Sequence, residues 1–493
     1  MIPLQKYLLK IVIFLNHTII HRYIFLNLRL EINCTQMIVM KFGGTSVSDA
    51  TAIKRSISII SKKLKDKPVI VVSACAKVTD SLYKLINCIE TGQKEECQVV
   101  VDGLRARHKG IIEECIKAGG YKSEPSTGDI FATIDKICNS LWTLSKAHLN
   151  AQIPDSDKAY ITSMGEYLSS NIICFMLNTF GISTAWVDAR HFMITSKEYM
   201  SASPLVDEVA KRADKVISKA YKGYDAVITQ GFVGVTIEGD PTVLGRGGSD
   251  YSASLLGMVL DADRIEIWTD VDGIRTADPR MVENTRGIKK ISYEEAAELA
   301  RFGAKVLHPL CIEPAATKNI PLYVLNSMNP GGDGTVVLNR SCIFDGIKSV
   351  SYNENIRVVS IYSPKMINAT GFMSKIFDVF GRHGVSVDMI STSEASVSVT
   401  VDAKQPLEEV VADLAQYGKV TVDRDKSQVS IIGKNIIGIK GAFATIFEAL
   451  SDCKIYMMSQ GSSFLNLSLV IDRPEMAAIV RTLHKVFFEN GAE

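Results

Sequence analysis

The chain has 493 residues, 46% of them hydrophobic and 22% charged, with 55 Lys and Arg against 54 Asp and Glu. The apolar content excludes a wholly disordered chain, and the near-zero net charge lends no support to a nucleic-acid-binding role. Ten Cys without a C-x-x-C pair argue against a disulfide scaffold or a cysteine zinc site, and for a reducing, cytoplasmic compartment.

Residues 1–36 differ from the rest. They carry Lys6, Lys10, Arg22 and Arg29 against a single acid, Glu31, around the apolar run Ile11-Val12-Ile13-Phe14-Leu15. Asn16, His17 and Arg22 interrupt the run and no small-residue cleavage site follows, so neither a signal peptide nor a membrane span is supported. The segment reads as an extension from an upstream start codon, with Met37 or Met40 as the natural start. A targeting or membrane-surface element and a structured strand or helix are the alternatives.

From Met37 the chain alternates apolar strands with helices. A strand over 37–40 runs into Lys41-Phe42-Gly43-Gly44-Thr45-Ser46, and Ser48 or Asp49 is placed to cap a helix carrying Ile53, Ile57 and Ile60. Pro68-Val69-Ile70-Val71-Val72, Ala226-Val227-Ile228-Thr229 and Arg264-Ile265-Glu266-Ile267-Trp268 are further strands. Helices are expected over 123–149, 165–178, 204–222 and 249–261. Continuous apolar strands predict a parallel sheet covered on both faces, an α/β sandwich of about 300 residues. Near 345 the pattern changes, and 351–356 reads as a linker. Beyond it Gly371-Phe372-Met373-Ser374-Lys375-Ile376-Phe377 is echoed by Gly441-Ala442-Phe443-Ala444-Thr445-Ile446-Phe447, 70 residues on. Each copy predicts β-α-β-β-α, with second strands at 386–390 and 454–458: two ferredoxin-like modules, with boundaries 352–424 and 427–493.

Four clusters stand out, the first and third readable alone as turns and the second as a surface loop that caps its helix. Lys41 with Gly43 and Gly44 combines a cation with backbone amides at a strand end, an arrangement suited to phosphate but not a Walker loop. Leu244-Gly245-Arg246-Gly247-Gly248-Ser249-Asp250 precedes a helix and offers an anion site. Thr269 and Asp270 end a strand, and Arg280 follows in Ala277-Asp278-Pro279-Arg280. Phe302-Gly303-Ala304-Lys305-Val306-Leu307-His308-Pro309 holds Lys305. Glu166 is expected in the first turn of its helix, either receiving a substrate ammonium or capping that helix.

Taken together these motifs resemble the aspartokinases of the amino-acid kinase superfamily, from about Met37 to the C-terminus, and most of all the monofunctional lysine-sensitive kind with two ACT modules. No homoserine dehydrogenase domain is expected after residue 493. The resemblance implies a three-layer α/β/α kinase domain over 37–345. It also implies transfer of the γ-phosphoryl group of ATP to the side chain of L-aspartate, giving 4-phospho-L-aspartate on the route to diaminopimelate, lysine, threonine and methionine. Mg2+ would bridge the phosphates. Carried over by position, Lys41, Gly43, Gly44 and Asp250 are catalytic. Ser73, Thr79, Glu166, Ser201, Gly248 and Ser249 meet aspartate, and Lys41, Thr269, Asp270, Arg275, Arg280 and Lys305 meet the nucleotide. Met366, Phe372, Met373, Ser386, Val387 and Asp388 surround a lysine effector; the alternative reading makes Phe372 and Val387 core residues and Asp388 only a strand end. The resemblance further implies a homodimer, or a tetramer when inhibited, with no nucleic-acid or membrane partner. Two departures stand out. Ser201 occupies the place of an arginine that grips the substrate α-carboxylate in many members, and Ile274-Arg275 stands where a tyrosine is usual. They give footing to the rival reading, an amino-acid sensor with weak catalysis.

Overall fold

The computed structural model describes residues 37–121, 125–302, 306–339, 344–460 and 464–489. Residues 1–36, Lys305 and the last four positions lie outside the described residues, as do the expectations placed on them.

The strands in chain order are β1 (Ile38–Phe42), β2 (Pro68–Val72), β3 (Thr184–Val187), β4 (Ala226–Gln230), β5 (Val233–Val235), β6 (Pro241–Val243), β7 (Arg264–Thr269), β8 (Lys290–Ser292), β9 (Leu322–Asn326) and β10 (Thr335–Leu338). Eight of them form one sheet in the order β3-β4-β2-β1-β7-β9-β10-β8, and β5 and β6 form a separate hairpin. The run from β3 to β9 is parallel. All five residues of β1, β2 and β4 are buried, which explains why none of these strands alternates in sequence. Helices on both faces supply the cover. Among them are Ala50–Ser61, capped by the Asp49 carboxylate accepting from the Ala52 amide at 2.9 Å, and Gly248–Val259. Parallel strands leave their C-terminal ends along one edge, and Lys41, Ser73, Phe232 and Thr269 all lie there.

Several expected bounds shift. The helix expected at 165 begins ten residues earlier, as Asp155–Thr179, so Glu166 sits in its middle and does not cap it. Helices Val78–Glu90 and Lys94–Lys117, and strands β3, β9 and β10, were not anticipated.

The C-terminal third is one six-stranded sheet built from β11 (Gly346–Tyr362), β12 (Ile390–Thr392), β13 (Ser396–Asp402), β14 (Lys419–Lys434), β15 (Met457–Gln460) and β16 (Asn466–Asp472). Its order is β12-β13-β11-β14-β16-β15. Residues 351–356 are therefore strand, not linker: β11 passes through them unbroken, with register shifts between Asn353 and Val358 where it bends. The C-terminal half of β11 is the first strand of the first module. Its N-terminal half pairs with 428–434 and is the last strand of the second module. The second copy thus takes its closing strand from residues that precede both copies. Second strands begin later than expected, at Ile390 and Met457. The two modules keep separate cores, one around Phe380 and Val399 and the other around Val429 and Leu469. Ala277 and Val282 of the kinase unit pack into the second.

Candidate active site

The edge where β1, β2 and β7 end is knit by backbone bonds. The Gly43 amide donates to the Trp268 carbonyl at 3.0 Å, the Ser73 amide to Phe42 at 3.1 Å, and the Ala76 amide to Gly44 at 3.0 Å. These hold open a cavity of about 490 Å3. Lys41, Gly44, Ser73, Thr79, Glu166, Gly248, Ser249 and Asp250 all line it, so side chains spread over more than 200 residues of sequence meet in one cleft.

Lys41 is 8% exposed, and its ammonium lies 2.5 Å from the Asp250 carboxylate, which opens the helix Gly248–Val259. Gly43 lies close by: a Cβ there would stand 3.6 Å from Lys41 Nζ. Glu166 is buried in the cleft wall. One carboxylate oxygen accepts from the Ala74 amide at 3.1 Å, and the other has no hydrogen-bond partner. Burial pushes its pKa up to about 8, against the opposing pull of the Ala74 amide and of Lys41. Gly165 makes this placement possible, since a Cβ there would stand 2.7 Å from that of Ala74 and force the helix away from the loop that binds Glu166. Gly247 adopts φ +73°, and a side chain on it would strike the His308 ring at 2.4 Å.

Not every expected residue joins the cleft. Ser201 abuts its rim, 3.4 Å from where a Cβ of Gly245 would stand. Thr269 and Asp270 end β7 beside it, with the Thr269 hydroxyl donating to Asp270 at 3.2 Å. Arg275 turns elsewhere, donating to the Thr285 hydroxyl at 2.7 Å and carbonyl at 2.6 Å. Arg280 is largely exposed and pairs with Asp278 at 2.6 Å, and Asp278 also accepts from Tyr352 of β11. Both arginines stand beside the seam with the regulatory sheet, where Ser349 of β11 donates to the Arg275 carbonyl at 3.0 Å. Lining residues that sequence reasoning passed over include Lys77, Arg246 and Phe232. Lys77 and Phe232 adopt φ of 66° and 67°, unusual for side-chain-bearing residues. Arg246 is visible inside the glycine cluster, but nothing in the sequence marks it apart from its loop. Among the described residues, no group of three or more His, Cys, Asp or Glu side chains is arranged to hold a metal ion. Among them also, no helix is long and apolar enough to cross a membrane.

In the first module, Met366, Phe372, Met373 and Val387 border the core, with Phe372 edge-on to Tyr417 at 6.2 Å. Gln405 brackets the Ser386 backbone, accepting from its amide at 2.6 Å and donating to its carbonyl at 3.0 Å. The Asp388 amide donates to the Thr400 carbonyl at 3.0 Å. Partial burial raises the Asp388 carboxyl pKa, with Arg301 opposing and Asp402 adding to the effect.

Residues 36–326 match the amino acid kinase family, and 359–416 and 429–487 each match the ACT domain. Fold and cleft thus define an amino-acid kinase joined to tandem regulatory modules. Lysine-sensitive aspartokinase 3 of Escherichia coli (strain K12) is 32% identical over 466 residues, covering 92% of this chain and all of the relative. Aspartokinase 3, chloroplastic, of Arabidopsis thaliana is 32% identical over 468 residues, covering 92% of this chain and 81% of the relative. The crystal structure of E. coli aspartokinase III with aspartate and ADP, an R-state, superposes with a TM-score of 0.82 at 31% identity, covering 92% of this chain and all of that one. The T-state of the same enzyme with lysine and aspartate superposes at 0.76, with the same identity and coverage. The chain belongs to the aspartokinase family and is an enzyme of that family.

Proposed function

We propose that the chain transfers the γ-phosphoryl group of ATP to the side-chain carboxylate of L-aspartate, and that L-lysine restrains it through the first ACT module. The single observation that carries the catalytic part is the buried Lys41–Asp250 pair sharing one cleft with the half-satisfied Glu166. A carboxylate nucleophile is already ionised near pH 7, so the reaction needs alignment and charge neutralisation more than a base. Lys41 neutralises the β- and γ-phosphates, and Asp250 holds it in position. The Gly44 amide faces the transferring group, while the Gly43 and Gly248 amides, bonded to the Trp268 and Gly245 carbonyls, fix the backbone around it. Glu166 receives the α-ammonium on its free oxygen, and Ser73, Thr79 and Ser249 complete the aspartate pocket. Arg246, in the same lining, supplies the guanidinium that position 201 lacks. Thr269 and Asp270 border the nucleotide, and Lys305, outside the described residues, is assigned to it by the resemblance alone. Mg2+ would come with ATP and would supply further charge neutralisation at the phosphates. Arg275 and Arg280 act at the regulatory seam.

The lysine part rests on Asp388, a partly buried carboxyl beside Ser386 and Val387, and on the relatives' own lysine sensitivity and lysine-bound state. Exposed Ile390 and Met458, on the outer strands of the regulatory sheet, support a homodimer, with a tetramer as the inhibited form. The unbridged cysteines among the described residues support a cytoplasmic setting. Formation of aspartyl hydroxamate that requires both ATP and Mg2+ is the expected result for the purified chain. A folded preparation that forms none would favour the sensor reading.

A further inference from the structure

The two ACT modules superimpose by register as well as by sequence. In the first, Ile356 pairs with Asp402; in the second, Lys426 pairs with Asp472. The Asp388 amide donates to the Thr400 carbonyl, and the Tyr456 amide to that of Val470. Ser386-Val387-Asp388 therefore corresponds to Lys454-Ile455-Tyr456, and Met389 to Met457; those two methionines share one apolar cluster with Ile356 and Val470.

Of the matched positions that carry a charge in either module, only Asp402 and Asp472 keep the same chemistry. In the second module the Lys426 ammonium is bonded to Asp472 at 2.6 Å and lies 3.5 Å from the centre of the Tyr456 ring. The Tyr456 hydroxyl donates to the same Asp472 at 2.9 Å, and Lys454 stands 4.4 Å from the ring. Lys426 is 8% exposed. This is a complete ammonium site, with a carboxylate and an aromatic face, and the chain fills it with its own side chain. In the first module the matched positions hold Asp388 and Asp402 with an apolar residue, Ile356, in place of the lysine.

We propose that Lys426 is an internal ligand: its ammonium occupies, in the second module, the counterpart of the cation site that the first module keeps open for the ammonium of an amino-acid effector. Each chain then takes one effector amine, although it carries two modules. This rests on the assignment of Asp388 to the effector.

The test titrates full-length variants by calorimetry, with folding checked by thermal melting. Removing both internal cations, in the K426A/K454S variant, should create one saturable site for n-butylammonium beyond those of the unaltered chain, and n-butanol should not occupy it. Moving the internal ligand to the first module, as I356K, should weaken L-lysine binding at least tenfold. No gain of n-butylammonium binding in folded K426A/K454S overturns the proposal, as does unaltered L-lysine affinity in folded I356K. If I356K fails to fold, the K426A/K454S arm decides alone. D388N separates the two claims. Unaltered L-lysine affinity in D388N removes the effector assignment, and with it the proposal as stated. Loss of affinity in D388N, with no effect of the other variants, removes the internal ligand only.

Discussion

Lys41 and Glu166 share a cleft but answer different demands. Lys41 is already charge-paired in the free protein, so its position is set before nucleotide arrives, and its contribution grows as negative charge shifts onto the leaving phosphate. Lys41→Ala should lower kcat by about a hundredfold or more while changing ATP affinity far less; weakened ATP binding with kcat unchanged would show a role in binding alone. Glu166 has the opposite problem, a carboxyl that burial keeps protonated. Its pKa of about 8 in the folded chain lies above the ordinary 4.5, so between these values the native state holds a proton that the unfolded state releases. The sign follows: in this window stability of the ligand-free protein falls as pH rises, by about 1.4 kcal/mol per pH unit at most from this group. An arriving ammonium favours the ionised form, so aspartate binding at pH 7 should expel up to one proton and tighten as pH rises toward 8. Calorimetry in buffers of different ionisation enthalpy reads this directly. Proton release should vanish in Glu166→Gln, and release that persists there would place the titrating group elsewhere.

At the scale of elements, glycine clusters at strand ends were legible because few residue types tolerate such backbone, and the apolar runs of β1, β2, β4 and β7 announced a covered parallel sheet. The helix Asp155–Thr179 was not legible in its full length. It is buried nearly all round, with Thr162, Ser163, Ser169 and Ser170 among its buried positions, so no apolar stripe marked its period or its start. The Glu166 site was therefore found by residue type while its place in the helix was misjudged. Residues 351–356 misled for a related reason. Asn353, Glu354 and Asn355 are polar because they sit where β11 bends between modules, not because the strand ends. That the second module closes with a strand from before the first could not be read locally, since pairing of 346–353 with 428–434 is a long-range choice. A continuous β11 has a consequence for proteolysis. Trypsin should spare Arg357, whose guanidinium is bonded to the Ala403 carbonyl inside the paired strand. Early cleavage there, separating kinase unit from modules, would restore the linker.

For the molecule as a whole, catalytic cleft and regulatory sheet are joined by specific contacts. Tyr352 of β11 donates to Asp278, Ser351 donates to the Phe302 carbonyl, and the buried His484 of the second module bonds to Thr276 at 2.9 Å. The segments they grip follow β7 and precede Lys305, the two stretches assigned to the nucleotide. A shift of the sheet therefore has a route to the ATP side of the cleft, and an effector that prefers one sheet position must alter turnover by its differential affinity for the two states. The central claim joins the kinase cleft to a lysine-binding module in one chain. It is tested most directly by the rate of ATP- and Mg2+-dependent aspartyl hydroxamate formation across an L-lysine titration, with Asp388→Asn alongside. The account predicts a rate that falls to a small fraction at saturating lysine in the unaltered chain and stays near its uninhibited value in the variant. A rate indifferent to lysine, or inhibition fully retained without Asp388, would contradict it.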